Sequence, residues 1–212
     1  MLVAALTCLL LLLPLLALWR VLAVRTGEVR LALALAALGW SWLAVAIAEA
    51  LPVDRTWYLA AWAAIALGSA VVLGRAWAGM RVRDRVRELT RWWSLEQPWS
   101  RAGWIAIAAI GALTLLTALV AAPNNWDSMV YHLARVAVWV QLGDVAHYAT
   151  HIEPQLYQPP GAEELILQGY VLAGGDALAA LVQWGAWVGC VVLAHRAAQA
   201  LGAGARGQLA AA

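Results

Sequence analysis

The stretch GWIAIAAIGALTLLTALVAA, at Gly103–Ala122, carries no charged side chain. It is long enough to cross the hydrocarbon core of a membrane as a helix, which takes about 20 apolar residues. Four other predominantly apolar stretches have a comparable length: Leu2–Trp19, Leu31–Leu51, Trp57–Trp77 and Ala177–Ala194. The sequence therefore predicts an all-α protein, a polytopic membrane helix bundle of about five transmembrane helices.

Composition supports the same class of protein. Hydrophobic residues make up 64% of the chain and charged residues 12%, and the mean hydropathy is +0.74. Soluble domains carry about 25% charged residues. This excludes a nucleic-acid-binding protein, a disordered segment and an ordinary cytosolic enzyme. The basic residues are all Arg, and Trp is abundant while Phe is absent, a bias typical of a GC-rich bacterial genome.

The arginines predict the orientation in the membrane. Most of them fall between spans one and two, between spans three and four, and after span five: Arg20, Arg25, Arg30, Arg75, Arg81, Arg83, Arg85, Arg87, Arg91, Arg101, Arg196 and Arg206. Positively charged segments stay in the cytoplasm. We therefore expect a multi-pass protein of the bacterial inner (plasma) membrane with its N-terminus outside and its C-terminus cytoplasmic.

Two segments between spans are long. The cytoplasmic segment Met80–Arg101 alternates Arg with apolar residues, which fits either an amphipathic helix on membrane lipid or a solvated connector. The external segment Pro123–Asp176 predicts two juxtamembrane amphipathic helices. The first has apolar positions at spacings of four, three and four and ends at Gly143, and the second runs from Pro159-Pro160 to Gly174-Gly175. Both helices are expected to lie on the outer membrane surface.

The external segment also holds the candidate chemistry. Asp127 stands at the start of the first helix, where it is either an N-cap or a general base. Tyr131 and His132 follow one turn later and Arg135 one turn after that, a set suited to a hydroxylated substrate and an anionic leaving group. His132, together with the two histidines of the following loop, also raises the possibility of a divalent metal. Because no ligand set is fixed, polar loop residues are the default interpretation.

Three motifs of this segment form a recognisable series: NWDSMVYHL at 125–133, HYATHI at 147–152 and QLYQPP at 155–160. The series resembles the first periplasmic loop of bacterial membrane glycosyltransferases of the C-type fold, the family 39 (dolichyl/polyprenyl-phosphate-mannose mannosyltransferase-like) group. The likeness divides the chain into three parts. Residues 1–101 hold three extra spans and the basic connector, residues 102–202 form the glycosyltransferase-like module, and residues 203–212 are a tail.

The resemblance implies transfer of a sugar from a polyprenyl-phosphate carrier to a hydroxyl of a glycan, lipid or protein acceptor at the periplasmic face. It makes Asp127 the catalytic carboxylate, with no cofactor certain and a divalent metal possible. The substrate-binding residues are expected to be Tyr131, His132, Arg135, His147, His151 and Gln155. Because family members carry more spans, the chain is expected to be an N-terminal fragment.

Two other functions stay open on the sequence. In one, the protein is a non-catalytic membrane scaffold or assembly subunit of an envelope complex, whose loop docks a partner through apolar positions such as Leu133 or Val136. In the other, it belongs to a transporter, which would place ionisable residues in mid-span. Glu49 lies near a span end and Gln183 is neutral, so the transporter is the weakest of the three hypotheses.

Overall fold

The computed structural model describes residues 2–77, 87, 90, 91, 93, 94 and 96–212. It is 82% helical, with no strand among those residues. Five helices are long and apolar enough to cross a membrane, which confirms the predicted fold class and marks the chain as a membrane protein. They are α1 (Leu2–Thr26), α2 (Val29–Ala50), α3 (Arg55–Trp77), α4 (Pro98–Val120) and the fifth span, Asp176–Ala200. Half of the basic segment Met80–Arg101 lies outside the described residues, so its predicted amphipathic helix does as well in part.

Shorter elements complete the chain. A π-helical turn at Ser128–His132 leads into α5 (Leu133–Leu142). Then follow α6 (Pro154–Tyr157), α7 (Gly161–Ala173), a 3-10 turn at Asp176–Leu178, α8 (Ala180–Ala200) and α9 (Ala205–Ala211). Both predicted helix ends are confirmed, because α5 ends at Gly143 (φ 82°) and α7 at Gly174 (φ 80°). Glycine adopts this left-handed conformation without steric cost.

Helices α1, α2 and α3 form the packed part of the bundle. One stripe of α2 consists of fully buried small residues: Ala32, Ala36, Ala44 and Ala48. Small side chains at this spacing let neighbouring helices approach closely. Such close packing drives the association of helices inside a membrane, where no hydrophobic driving force acts between them. The indole of Trp40 also donates a hydrogen bond to the Leu11 carbonyl of α1 at 2.9 Å.

Helix α7 packs deeper than a helix lying on the membrane surface. Its buried residues face α1, α2 and α3. Gln168 is fully buried, accepts a hydrogen bond from the Trp62 indole at 2.9 Å and donates one to the Ala44 carbonyl at 3.0 Å. Ala44 lies about 9 Å from the end of α2 at about 1.5 Å per residue. Helix α7 is therefore a wedge between the ends of the first three helices.

The bundle has two different ends. At the loop face, where α2 and α4 end and α3 and α8 begin, the Val53 amide donates to the Gly143 carbonyl at 2.7 Å. At the opposite end, the arginine face, Arg196 pairs with Glu28 at 3.3 Å and Arg30 contacts His195 at 2.8 Å. The face that lies outside the cell remains a prediction from the arginine distribution.

Candidate functional site

The first loop helix begins one residue before Asp127, and Asn125 caps it. The Asn125 side-chain oxygen accepts a hydrogen bond from the Ser128 amide at 2.8 Å, and the Asn125 carbonyl accepts one from Met129 at 3.1 Å. Asp127 already has helical dihedral angles, and its side chain makes no capping hydrogen bond. The N-cap interpretation of Asp127 is therefore wrong. Its exposed carboxylate has no hydrogen bond or ion pair to any residue that the structure describes.

A wide helical turn follows Asp127. In the π-helical segment Ser128–His132, the Leu133 amide donates to the Ser128 carbonyl, five residues back. The Tyr131 ring stacks on the His132 ring with centroids 4.0 Å apart. Partial burial and the nearby charge of Asp127 raise the pKa of the Tyr131 hydroxyl. Such π-turns occur frequently at functional sites, and no local sequence signal predicted this one.

Asp127 and His132 line one groove of about 780 Å³ at the loop face, between the end of α4, the start of α8 and the helix that begins at Trp126. One part of its wall is polar: Asn124, Asn125, Asp127, Ser128, His132 and Gln183. The other part is apolar: Ala118, Leu133, Ile166, Ala180, Trp184 and Trp187. The groove therefore offers an amphiphilic surface, with a carboxylate and an imidazole at its polar part.

Arg135 lies behind the groove, in the protein interior. Its side chain is 3% exposed and pairs with the Glu163 carboxylate at 3.1 Å. It also donates hydrogen bonds to the carbonyls of Pro154 at 2.9 Å and Gln158 at 3.1 Å. The Nδ1 atom of His132 is 3.3 Å from the same Glu163 oxygen. The Arg135 side chain therefore links α5 to the segment before α7, and its guanidinium is paired with protein groups.

The other predicted binding residues are divided between interior and surface. Gln155 is buried, donates to the Val130 carbonyl at 2.7 Å and accepts from the Tyr148 hydroxyl at 2.9 Å. It therefore supports the π-helical turn from behind. His147 and His151 are both exposed on the loop. The structure thus brings Asp127 and His132 together at the groove, with Tyr131 stacked beside them.

The described part of the chain contains no group of three or more His, Cys, Asp or Glu side chains that could hold a metal ion. The Nδ1 atom of His132 lies 3.3 Å from a buried Glu163 oxygen, and Arg135 lies beside the same oxygen. A guanidinium in contact with that oxygen opposes the binding of a second cation there.

Two adjacent carboxyls of α7 were not predicted as residues of this region. Glu163 is fully buried and Glu164 is 4% exposed. The pKa of Glu164 is raised to about 7, and its burial is the largest cause. The charge of Glu49, a hydrogen bond with Glu49 and the charge of Glu163 raise this pKa further, whereas the charge of Arg135 lowers it. The sequence signal was two carboxyls at the start of an otherwise apolar helix.

No family model, curated protein or solved structure matches the chain. A function is therefore argued from the geometry of the groove, the chemistry of its side chains and the motifs of the loop.

Proposed function

We propose that the chain forms part of a membrane glycosyltransferase, which moves a sugar from a polyprenyl-phosphate carrier to a hydroxyl of a glycan, lipid or protein acceptor. One observation carries the proposal. Asp127 and His132 share the wall of an amphiphilic groove at one end of a bundle of membrane-spanning helices. A lipid-linked sugar has the same division, with a polar head and an apolar tail. The motif at 125–133, which resembles family 39, supplies Asn125, Asp127, Ser128 and His132 of the polar part.

The groove suits the chemistry of this transfer. The acceptor oxygen attacks the anomeric carbon, the bond from that carbon to the phosphate oxygen breaks, and the electron pair leaves with the phosphate. The acceptor proton goes to Asp127, whose carboxylate makes no hydrogen bond to any residue in the described part of the chain and so is available as a general base. The phosphate needs no proton to leave, but its charge needs stabilisation.

Neutral donors can stabilise that charge at this site. The helix that begins at Trp126 starts at the groove. The free amide groups and the dipole of a helix N-terminus favour an anion. The side chains of Asn124 and Ser128 add further donors on the same wall.

A transfer assay on Asp127→Asn tests the proposal. Membranes from cells that make the protein are supplied with polyprenyl-phosphate mannose, labelled in the sugar, and release of the sugar from the lipid is measured. We expect Asp127→Asn to lower the rate by about 10²–10⁴-fold, the usual contribution of a general base. Glu153→Gln is the matched control, because Glu153 is an exposed carboxyl of the same loop outside the groove wall.

Retained turnover in Asp127→Asn, or equal losses in both variants, would contradict the proposed role of Asp127. A parallel assay with a polyprenyl-phosphate pentose identifies the sugar class. If the wild-type protein releases neither sugar, the proposed activity itself is wrong.

The scaffold hypothesis named two docking positions, Leu133 and Val136, and neither is exposed. Val136 has no exposed surface, so it cannot contact a partner protein. Leu133 lies on the groove wall, where it borders the space next to His132. Neither position forms an exposed apolar surface of the loop on which a second protein would dock.

A further inference from the structure

The two edges of the His132 ring have different surroundings. The Nδ1 atom is buried, lies 3.3 Å from a Glu163 oxygen and makes no hydrogen bond to any other residue that the structure describes. The side chain as a whole is 29% exposed and lines the groove. Its exposed surface therefore belongs to the opposite edge of the ring, which carries Nε2. One nitrogen of His132 faces the interior, and the edge with the other faces the groove.

The Glu163 carboxylate decides which of these nitrogens carries the proton. It pairs with Arg135 at 3.1 Å and lies in the first turn of α7, where the helix dipole favours a negative charge. A carboxylate only accepts hydrogen bonds, and a neutral imidazole has one protonated and one bare nitrogen. A bare Nδ1 would direct its lone pair at the carboxylate oxygen, which is repulsive. The proton of the neutral ring therefore belongs on Nδ1, and Nε2 is the bare nitrogen.

Both members of this pair are held in place. Arg135 contacts the same Glu163 oxygen and is itself fixed by the carbonyls of Pro154 and Gln158. The Tyr131 ring stacks on the imidazole with centroids 4.0 Å apart. The orientation of the His132 ring is therefore set by the protein before a ligand enters the groove.

We propose that Glu163 is a positioning residue that holds His132 in the Nδ1–H form, so that Nε2 accepts a hydrogen bond from a hydroxyl of the bound sugar or acceptor. The inference rests on the proposed function for the identity of the ligand, and it deepens that function by assigning a hydroxyl, and not the phosphate, to His132. A phosphate oxygen is an acceptor and would meet the Nε2 lone pair. Asp127 on the same wall is also an acceptor, so these two side chains suit groups that donate hydrogen bonds.

Nitrogen NMR of the histidine rings tests the proposal without any sugar transfer. The protein is labelled with a heavy nitrogen isotope at its histidines, placed in nanodiscs of phosphatidylcholine and measured at pH 8, where an ordinary imidazole is neutral. Protonated and bare ring nitrogens give well separated signals, and His132→Gln identifies the signals of this ring by their loss. We expect the Nδ1–H form in wild type, the reverse of the form that free histidine prefers in water. An Nε2–H ring or an even mixture would overturn the proposal.

The double variant Arg135→Met, Glu163→Leu tests the dependence on Glu163. Removing both members of the ion pair leaves no unpaired charge in the interior. We expect the Nε2–H form to predominate, because Nδ1 then has no acceptor. Glu153→Gln, at an exposed carboxyl of the same loop, is the matched control and should keep the wild-type form. An Nδ1–H ring in the double variant would show that Glu163 does not control His132, and if this variant does not fold, the wild-type spectrum still decides the form of the ring.

The transfer assay tests the hydroxyl. His132→Gln keeps an acceptor oxygen near the place of Nε2, whereas His132→Leu has none. We expect His132→Leu to lower kcat/KM for sugar release by about tenfold, the usual effect of one lost hydrogen bond, and His132→Gln to recover most of it. Equal losses in the two variants would contradict the acceptor role of Nε2.

The outcome is separable from that of the proposed enzyme. An Nδ1–H ring that depends on Glu163, in a protein that releases no sugar, would leave the positioning of His132 in place and contradict the transferase. Sugar release that depends on Asp127, with an Nε2–H ring at His132, would support the transferase and overturn this inference.

Discussion

Replacing Glu164 by glutamine should make the folded protein more stable at pH 8 and leave its stability near pH 4 unchanged. Glu164 lies in α7 with only 4% of its surface exposed. Its burial and the neighbouring Glu49 carboxyl, with which it shares a hydrogen bond, raise its pKa from 4.5 to about 7. Glutamine has nearly the same shape, can donate to Glu49 as the protonated acid does, and never carries a charge.

The size of the effect follows from linkage. One pKa unit corresponds to about 1.4 kcal/mol, so a pKa moved from 4.5 to about 7 amounts to about 3 kcal/mol. Because the folded-state pKa of Glu164 is raised, the folded protein keeps a proton that the unfolded chain releases. The contribution to stability is complete below pH 4.5 and is lost as the pH rises through 7. Glu164→Gln removes this loss.

Thermal unfolding in detergent, followed by tryptophan fluorescence at several values between pH 4 and pH 8, measures the effect. For a chain of this length about 3 kcal/mol corresponds to about 6–12 °C in Tm. We expect the difference between Glu164→Gln and wild type to grow from near zero at pH 4 to that size at pH 8. Glu153→Gln, an exposed carboxyl, should follow wild type. A difference that is constant across the pH range, or a less stable variant at pH 8, would refute the reasoning.

Two further predictions use the same assay at pH 7. Gln168→Leu should destabilise the protein by about 2 kcal/mol or more, because the Trp62 indole N–H then has no partner in the interior. The control Gln183→Leu, at an exposed position, should change stability by less than about 0.5 kcal/mol. Equal effects of the two variants would contradict the role of the buried hydrogen bond. Gly143→Ala should cost about 1–2 kcal/mol, because φ is 82° at that position, while Gly68→Ala, in open space on α3, should stabilise by about 0.5–1 kcal/mol. If both alanine variants change the stability in the same direction, the left-handed conformation does not control the effect at Gly143.

Local chemistry explains the parts of the fold that sequence predicted well. The five spans follow from length and hydropathy, because a helix is the structure that satisfies its own backbone in lipid. The ends of α5 and α7 follow from Gly143 and Gly174, whose backbone geometry other residues rarely adopt. The sequence also predicted that Asp127 lies at the beginning of a loop helix, because apolar residues at helical spacing begin immediately after it.

One prediction failed on a local alternative and another on a distant partner. Asp127 was predicted to be an N-cap, but the helix begins one residue earlier and the Asn125 side chain accepts the hydrogen bond from the Ser128 amide. Arg135 looked available to a phosphate, but the buried Glu163 carboxylate and two carbonyls from another segment occupy its guanidinium. Such pairings join residues far apart in sequence, and neither partner carries a local mark of the other.

The sequence by itself therefore determined that the chain is a bundle of membrane-spanning helices with two loop helices, since apolar length, helical spacing and glycine caps act locally. Only the tertiary structure decided that α7 is wedged between α1, α2 and α3, and that Asp127 and His132 open onto one groove. The physical reason is that a groove is the space left when α4, α8 and the loop pack together. The Trp187 ring approaches Gly111, and Glu49 lies beside the buried Glu164, only in the folded chain. Both contacts need distant segments to meet first.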